Sequence, residues 1–256
     1  MSAVRRWNIA AGNFFFRYRN ALFPIVFAAV VPFLRPHVIV DPEVDRALIG
    51  CGVLIAWLGE ALRLTTIGFE YIERGGKNKQ VYASRLVQGG VYSLTRNPMY
   101  VGNLLITLGV SMAAGSYWIY LLIVPFFLFV YASIIMAEEA YLRGRFGSDY
   151  EAYCAQVSRF LPSMRRWRSA FDGLRYNWRK AIRQDMSTIT GLLVGLDLIA
   201  LWRTYYLRGW DAAVAQAPLT AAWLAVILAG FAWLHTLKKR GVFSPKPESV
   251  AARSAA

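Results

Sequence analysis

The sequence predicts an all-α fold, a polytopic transmembrane helical bundle of about six spans. Three observations point there. Hydrophobic residues make up 57% of the chain and charged residues 17%, a more apolar balance than an ordinary soluble domain carries. The apolar residues gather into runs long enough to cross a hydrocarbon core of roughly 30 Å, which takes about 20 helical residues. Lysine and arginine, 29 in all against 15 acidic residues, concentrate in the segments that flank those runs. With a net charge of +14 and a mean hydropathy of +0.36, the chain reads as a protein held against anionic membrane lipids, with no nucleic-acid partner.

Taken in order, the N-terminal stretch carries Arg5-Arg6, which resembles the start of a twin-arginine signal. Arg17, Tyr18 and Arg19 interrupt the apolar region such a signal needs, so the expectation is an uncleaved N-terminus. Candidate spans cover 20–40, 46–67, 99–115, 117–137, 188–207 and 214–237. Helices are the default there because each satisfies its own backbone polar groups within lipid. The first loop, Pro36 to Asp45, holds His37, Asp41, Glu43 and Asp45 and neither Lys nor Arg. The segments 70–98 and 138–187, the Arg5–Arg19 region and Lys238-Lys239-Arg240 are basic. The excess of positive charge on the cytoplasmic side then predicts that both termini are cytoplasmic, with Arg208 the exception.

Gly115-Ser116 alone separates the third and fourth spans, which predicts a tight helical hairpin. Gly102 and Gly109 would let a neighbouring helix approach closely. Asp197 and Arg203 in the fifth span are expected to pack or pair with other spans, the alternative being that they line a substrate route. Cys51 and Cys154 match no metal or redox spacing and read as free thiols. No internal repeat is present, and the only biased tract is the short Ala/Ser-rich tail. The oligomeric state is left open by the sequence.

Two stretches outside the apolar runs carry the chemistry. The first is Gly89-Gly90-Val91-Tyr92-Ser93-Leu94-Thr95-Arg96-Asn97-Pro98-Met99-Tyr100-Val101-Gly102-Asn103. It reads as a turn followed by a helix start, with Asn97 as N-cap and Pro98 in the first helical position. Such a start offers free N–H groups and a positive dipole end beside Arg96, a place for a carboxylate or phosphate at the membrane surface. A capped membrane helix with no ligand explains the same residues.

The second stretch, Ala137-Glu138-Glu139-Ala140-Tyr141-Leu142-Arg143-Gly144-Arg145-Phe146-Gly147, closes the fourth span. Glu139 and Arg143 stand four apart, which predicts a surface ion pair. A carboxylate at the end of a span also suits a cationic ligand, because acidic groups there are costly unless paired or used. The residues from Phe146 to Pro162 are aromatic and amphipathic, suited to lying on the membrane or covering a planar ring.

Together the two stretches resemble the isoprenylcysteine carboxyl methyltransferase family and the related phospholipid N-methyltransferases. The residues that carry the resemblance are Gly90 and Tyr92, then Arg96, Pro98, Tyr100 and Gly102, then Glu138, Glu139 and Leu142. Phe146, Gly147, Tyr150, Tyr153, Val157, Arg159 and Pro162 follow, so the resemblance covers about 85–165 in the family's order and spacing. It implies three regions: N-terminal spans and a cytoplasmic linker over 1–84, a methyltransferase core with its helical hairpin over 85–165, and over 166–256 a basic linker, a C-terminal two-span hairpin and tail.

The resemblance also implies a cytoplasmic-side pocket for S-adenosyl-L-methionine and no metal. Tyr92, Arg96, Asn97, Pro98, Tyr100, Gly102, Glu138, Glu139, Tyr150, Tyr153 and Pro162 would hold the cofactor. Arg96 and the helix start at Asn97–Tyr100 would take its carboxylate. Glu138 or Glu139 would face its ammonium, ribose hydroxyls or sulfonium, and the Tyr150–Pro162 stretch would close over the adenine. Arg96, Glu139 and Arg143 are the candidate catalytic residues, with Arg143 or Arg145 orienting an anionic acceptor. The acceptor implied is lipophilic, isoprenoid or lipid-linked, and enters from the bilayer. Asn97 stands where the family has His, and an amide cannot titrate near neutral pH, so that position holds ligand without taking a proton. The competing readings are a membrane reductase of the sterol-reductase type using NADPH and a non-catalytic membrane adaptor.

Overall fold

The computed structural model describes residues 3–30, 33–69 and 80–243 of the chain. Among these, six long helices and no strand are found: α1 (Ala3–Val30), α2 (Pro42–Phe69), α3 (Pro98–Ala114), α4 (Val124–Gln156), α5 (Trp178–Arg208) and α6 (Trp210–Lys239). A π-helical turn, Ile119–Ile123, leads into α4. By length and composition α2, the unit Ile119–Gln156, α5 and α6 can cross a membrane, and α3 is a shorter apolar helix. The chain is therefore a polytopic helical membrane bundle. Residues 70–79, part of the predicted first basic segment, and the Ala/Ser-rich tail lie outside the described residues.

The observed helices correct three expected boundaries. The first helix is Ala3–Val30 and not 20–40, because charged residues did not end it. Arg17 projects outward and Arg19 lies over the Phe16 ring, so the helical backbone continues through both. Pro36 and His37 lie outside any helix, and the His37 N–H donates to the Gly115 carbonyl at 2.7 Å. The fourth helix does not stop at 137. It runs on to Gln156, taking in the amphipathic stretch, with one break at Gly147 (φ 50°, ψ −123°). The fifth begins at Trp178 and not 188, where the Asn177 side chain accepts from the Lys180 N–H at 3.0 Å as a cap. Part of the predicted basic linker is thus its first turns.

Glycines decide which helix α3 packs against. A Cβ at Gly59 would lie 2.6 Å from the Gly102 carbonyl oxygen, and one at Gly52 would lie 2.6 Å from that of Gly109. The small residues meet in antiparallel register, with Ala56 fully buried between them. Gly102 and Gly109 do admit a close neighbour, and that neighbour is α2. The Gly115-Ser116 turn joins α3 to the next helix, which also meets it through Tyr100 but whose main partner is α1: Gly12 abuts the Ser133 carbonyl there.

Two buried ion pairs tie α2 to α5. Arg63 donates through Nε to Asp185 Oδ2 at 3.1 Å and through Nη2 to the other carboxylate oxygen. Arg203 donates to Asp45 at 2.5 Å and to the Ala114 carbonyl at 2.8 Å. Asp45 and Arg63 stand eighteen positions apart on α2, as do Asp185 and Arg203 on α5. Eighteen residues make five full turns, so both members of each helix project from one face, separated by roughly 27 Å. That is close to the thickness of a hydrocarbon core, about 30 Å. The charges are reversed between the helices, so the two pairs form only when α2 and α5 run antiparallel in this register. The expected pairing of Arg203 with another span is met on α2. Asp197 is not so placed: its Oδ2 is buried with no hydrogen-bond partner.

Candidate functional site

The turn before α3 is stitched to the chain that follows α4. A short 3-10 helix, Gly90–Ser93, reverses direction and brings the Leu94 and Thr95 N–H groups back to the Val91 carbonyl, each at 3.1 Å. The Arg96 N–H donates to the Ser158 carbonyl at 2.9 Å, and the Ser163 N–H to the Leu94 carbonyl at 3.0 Å. The Tyr153 hydroxyl donates to the Tyr92 carbonyl at 2.7 Å. Residues some sixty positions apart in the sequence are thereby fixed against one another.

Asn97 occupies the N-cap position and Pro98 the first turn of α3, but the Asn97 side chain makes no cap hydrogen bond. The expected role is corrected by where its amide points. It donates to the Arg159 carbonyl at 3.2 Å and toward Glu139 Oε1 at 3.4 Å. The N–H groups at the helix start are left to other acceptors.

Glu139 is the hub. It is 4% exposed and faces Arg159, which donates through Nε at 3.0 Å and through Nη2 to the second oxygen. Arg96 Nη1 lies 3.9 Å away. The predicted pair of Glu139 with Arg143 does not form: Arg159 occupies both oxygens of Glu139, and Arg143 instead reaches Glu151 at 3.6 Å on the surface. Next to Glu139, Glu138 accepts from the Tyr100 hydroxyl at 2.6 Å. Arg96 also donates to the Cys154 sulfur. Burial works against the Arg96 charge, but Glu139 and Cys154 outweigh it and hold the guanidinium pKa above its ordinary value. Arg96 is therefore a permanent cation at this place.

Beside these groups lies one cavity of about 230 Å³. Tyr92, Arg96, Asn97, Tyr100, Glu138, Glu139, Tyr150 and Tyr153 all reach it. Four of the predicted site residues do not. Pro98 is buried at the start of α3, and Gly102 packs on the Arg63 side chain, where a Cβ would come within 2.6 Å of Cγ. Arg143 and Pro162 sit at the surface. Further walls come from residues that the sequence reading passed over: Phe16 and Arg19 of α1, Arg63 of α2, the segment 81–87, Asn103 and Tyr131. Arg63 carried a visible signal, a charge inside a predicted span with Glu60 three residues before it. Arg19 carried one too, as a cation at the edge of the first apolar run.

The arrangement offers a cation and the end of a helix for an anionic group, two carboxylates for a cationic one, and tyrosine rings for a flat apolar one. Comparisons with known proteins agree with the resemblance seen in the sequence. Residues 47–149 match the family model for phospholipid methyltransferase. The chain is 33% identical over 110 residues to protein-S-isoprenylcysteine O-methyltransferase of Schizosaccharomyces pombe, covering 41% of this chain and 45% of that protein. It is 30% identical over 137 residues to the cobalt-zinc-cadmium resistance protein CzcN of Cupriavidus metallidurans, covering 54% of this chain and 60% of that one. The chain thus spans about half the length of the curated relatives it matches. No solved structure matches it.

Proposed function

We propose that this chain, which matches the phospholipid methyltransferase family model over residues 47–149 and resembles an isoprenylcysteine O-methyltransferase, moves a methyl group from S-adenosyl-L-methionine to a lipophilic acceptor at the cytoplasmic membrane face. The observation that carries the reading is the meeting of Arg96 and Glu139, 3.9 Å apart, on the wall of one cavity. The turn before α3 and the end of α4 supply opposite charges there, as a zwitterionic donor requires.

The residues present fit that donor. Arg96 is placed to take its carboxylate and Glu139 its ammonium. Glu138 and the rings of Tyr92, Tyr150 and Tyr153 remain for its ribose and adenine. When bound, the donor supplies a methyl on a cationic sulfur: the sulfur–carbon bond breaks with its electron pair left on sulfur, and a new bond forms to the acceptor. The protein's part is to position and to exclude water. The backbone bonds from the 158–163 stretch to the turn before α3 hold the cavity wall in place. A carboxylate or thiolate acceptor needs no proton removed, which agrees with Asn97 having no titrating group to offer.

Membranes carrying the protein, incubated with methyl-labelled S-adenosylmethionine and then extracted with organic solvent, should move label into a lipid fraction. Arg96→Ala should reduce that transfer by on the order of a hundredfold, as loss of one charged contact in a buried site does. A purified chain that binds NADPH and not S-adenosylmethionine, or full transfer by Arg96→Ala, would overturn the reading.

A further inference from the structure

One wall of the cavity is built by α1, which lies wholly outside residues 47–149. Phe16 and Arg19 are the residues that reach it. Phe16 is 5% exposed and belongs to the main apolar cluster with Tyr100 and Tyr131. The Arg19 guanidinium carbon stands 4.1 Å from the centre of the Phe16 ring. A guanidinium in that position uses its flat face for the ring, and its N–H edge stays free to donate.

The other cations on the cavity differ. Arg63 faces Asp185 and Glu60, and Arg96 faces Glu139. Arg19 makes no ion pair or hydrogen bond among the described residues, although its charge is felt by Glu138 and Tyr100 on the same cavity. Up to five N–H donors are thus presented to a cavity that also touches apolar surface. An arginine edge suits the oxygens of a carboxylate or a phosphate. Arg85, on the 81–87 wall of the cavity, is engaged as well. With Arg96 assigned to the donor, Arg19 is left to meet a second anion on this cavity.

Resting on the methyltransferase reading, we infer that Arg19 selects the acceptor: it takes the negative charge of an anionic amphiphile, carboxylate or phosphate, at the cavity wall formed by α1. The donor is held by Arg96 and the α4 carboxylates, and the acceptor's charge is read by a helix outside the family-matched segment. Arg19 is in this view a specificity residue.

The test uses the purified full chain in detergent and measures direct binding of three probes: (hexadecylthio)acetate, hexadecyl phosphate and the neutral (hexadecylthio)acetamide. S-Adenosylmethionine binding is measured on the same samples. Arg19→Ala should weaken one or both anionic probes by about tenfold, equivalent to about 1.4 kcal/mol. It should leave the amide and S-adenosylmethionine within about twofold, and Arg19→Lys should recover part of the loss. The anion with the larger loss identifies the head group. An equal loss for the amide, or no loss for either anion, overturns the inference. Failure of the unaltered chain to bind S-adenosylmethionine would remove the methyltransferase reading alone, since anion selectivity is read from the amphiphiles.

Discussion

The two ends of the bundle use the same chemistry to different effect. At the far end Arg203 is buried against Asp45 and also donates to the Ala114 carbonyl. It also lies where a Cβ on Gly115 would stand, and Gly115 adopts a left-handed φ of 59°. Cation, carboxylate and helix end close on one another and leave no room. At the site end Arg63 and Asp185 repeat the pair, but Arg63 also lines the cavity. Beside it Glu139 is shared by Arg159, Arg96 and Asn97 at distances that run from a close ion pair to 3.9 Å. A buried charge pair holds the bundle together where its donors are consumed by protein. It makes a site where some of them, or some of the space around them, remain.

The largest effect expected from breaking that contrast is on stability. Arg203→Ala leaves Asp45 buried without its cation and should cost about 3–5 kcal/mol. Thermal and denaturant unfolding in detergent measure this, and the double variant Asp45→Ala/Arg203→Ala should regain much of it, because neither charge then remains alone. The folded fraction of Arg203→Ala should still bind S-adenosylmethionine normally. Weakened binding would show that the far end is part of the site and that the division between the ends is wrong.

A smaller effect belongs to Tyr100→Phe. The hydroxyl donates to Glu138 at 2.6 Å, and a hydrogen bond to a charged group contributes about 1.5–3 kcal/mol. The variant removes one oxygen and leaves the ring packed near Tyr131. Methyl transfer should fall by roughly tenfold or more in kcat/KM, with a smaller drop in thermal midpoint than Arg203→Ala gives. An unchanged kcat/KM would mean that Glu138 serves packing and not the donor.

How much of this was legible differs between fold and site. The cores of α2, α3 and α6 could be read because their apolar runs are long and bounded by clear breaks, such as Pro98 and Gly115 around α3. Helices α1 and α5 were harder. Arg17 and Arg19, or Arg179, Lys180 and Arg183, sit on helical turns that hydropathy alone reads as flanking coil. In the site, Arg96, Glu138 and Glu139 were legible through the resemblance, which preserves their order and spacing. The partners of Glu139 were not. Four-residue spacing favoured Arg143, but Arg159 lies beyond the Gly147 break and returns only because the chain folds back there. Arg63 and Asp185, 122 positions apart, pair across two helices and leave no periodic trace in the sequence.

Arg143 supplies the smallest effect and the sharpest check on that contrast between spacing and packing. The resemblance made it a catalytic candidate and the helix period made it the partner of Glu139. In the fold its side chain is 38% exposed, its partner Glu151 is 66% exposed at 3.6 Å, and its guanidinium lies 5.7 Å from the Tyr150 ring centre. An exposed pair of that kind contributes about 0–1 kcal/mol, because water screens the charges and two long side chains must be held still. Arg143→Ala should therefore change stability by less than about 1 kcal/mol and methyl transfer by no more than about twofold. Arg159→Ala should do more, since it removes the closest cation from a carboxylate that is almost fully buried. Comparing the two variants in one labelled-transfer assay decides between the period and the fold. If Arg143→Ala abolishes transfer and Arg159→Ala does not, the surface arginine reaches the reaction after all and the partner assigned to Glu139 is wrong.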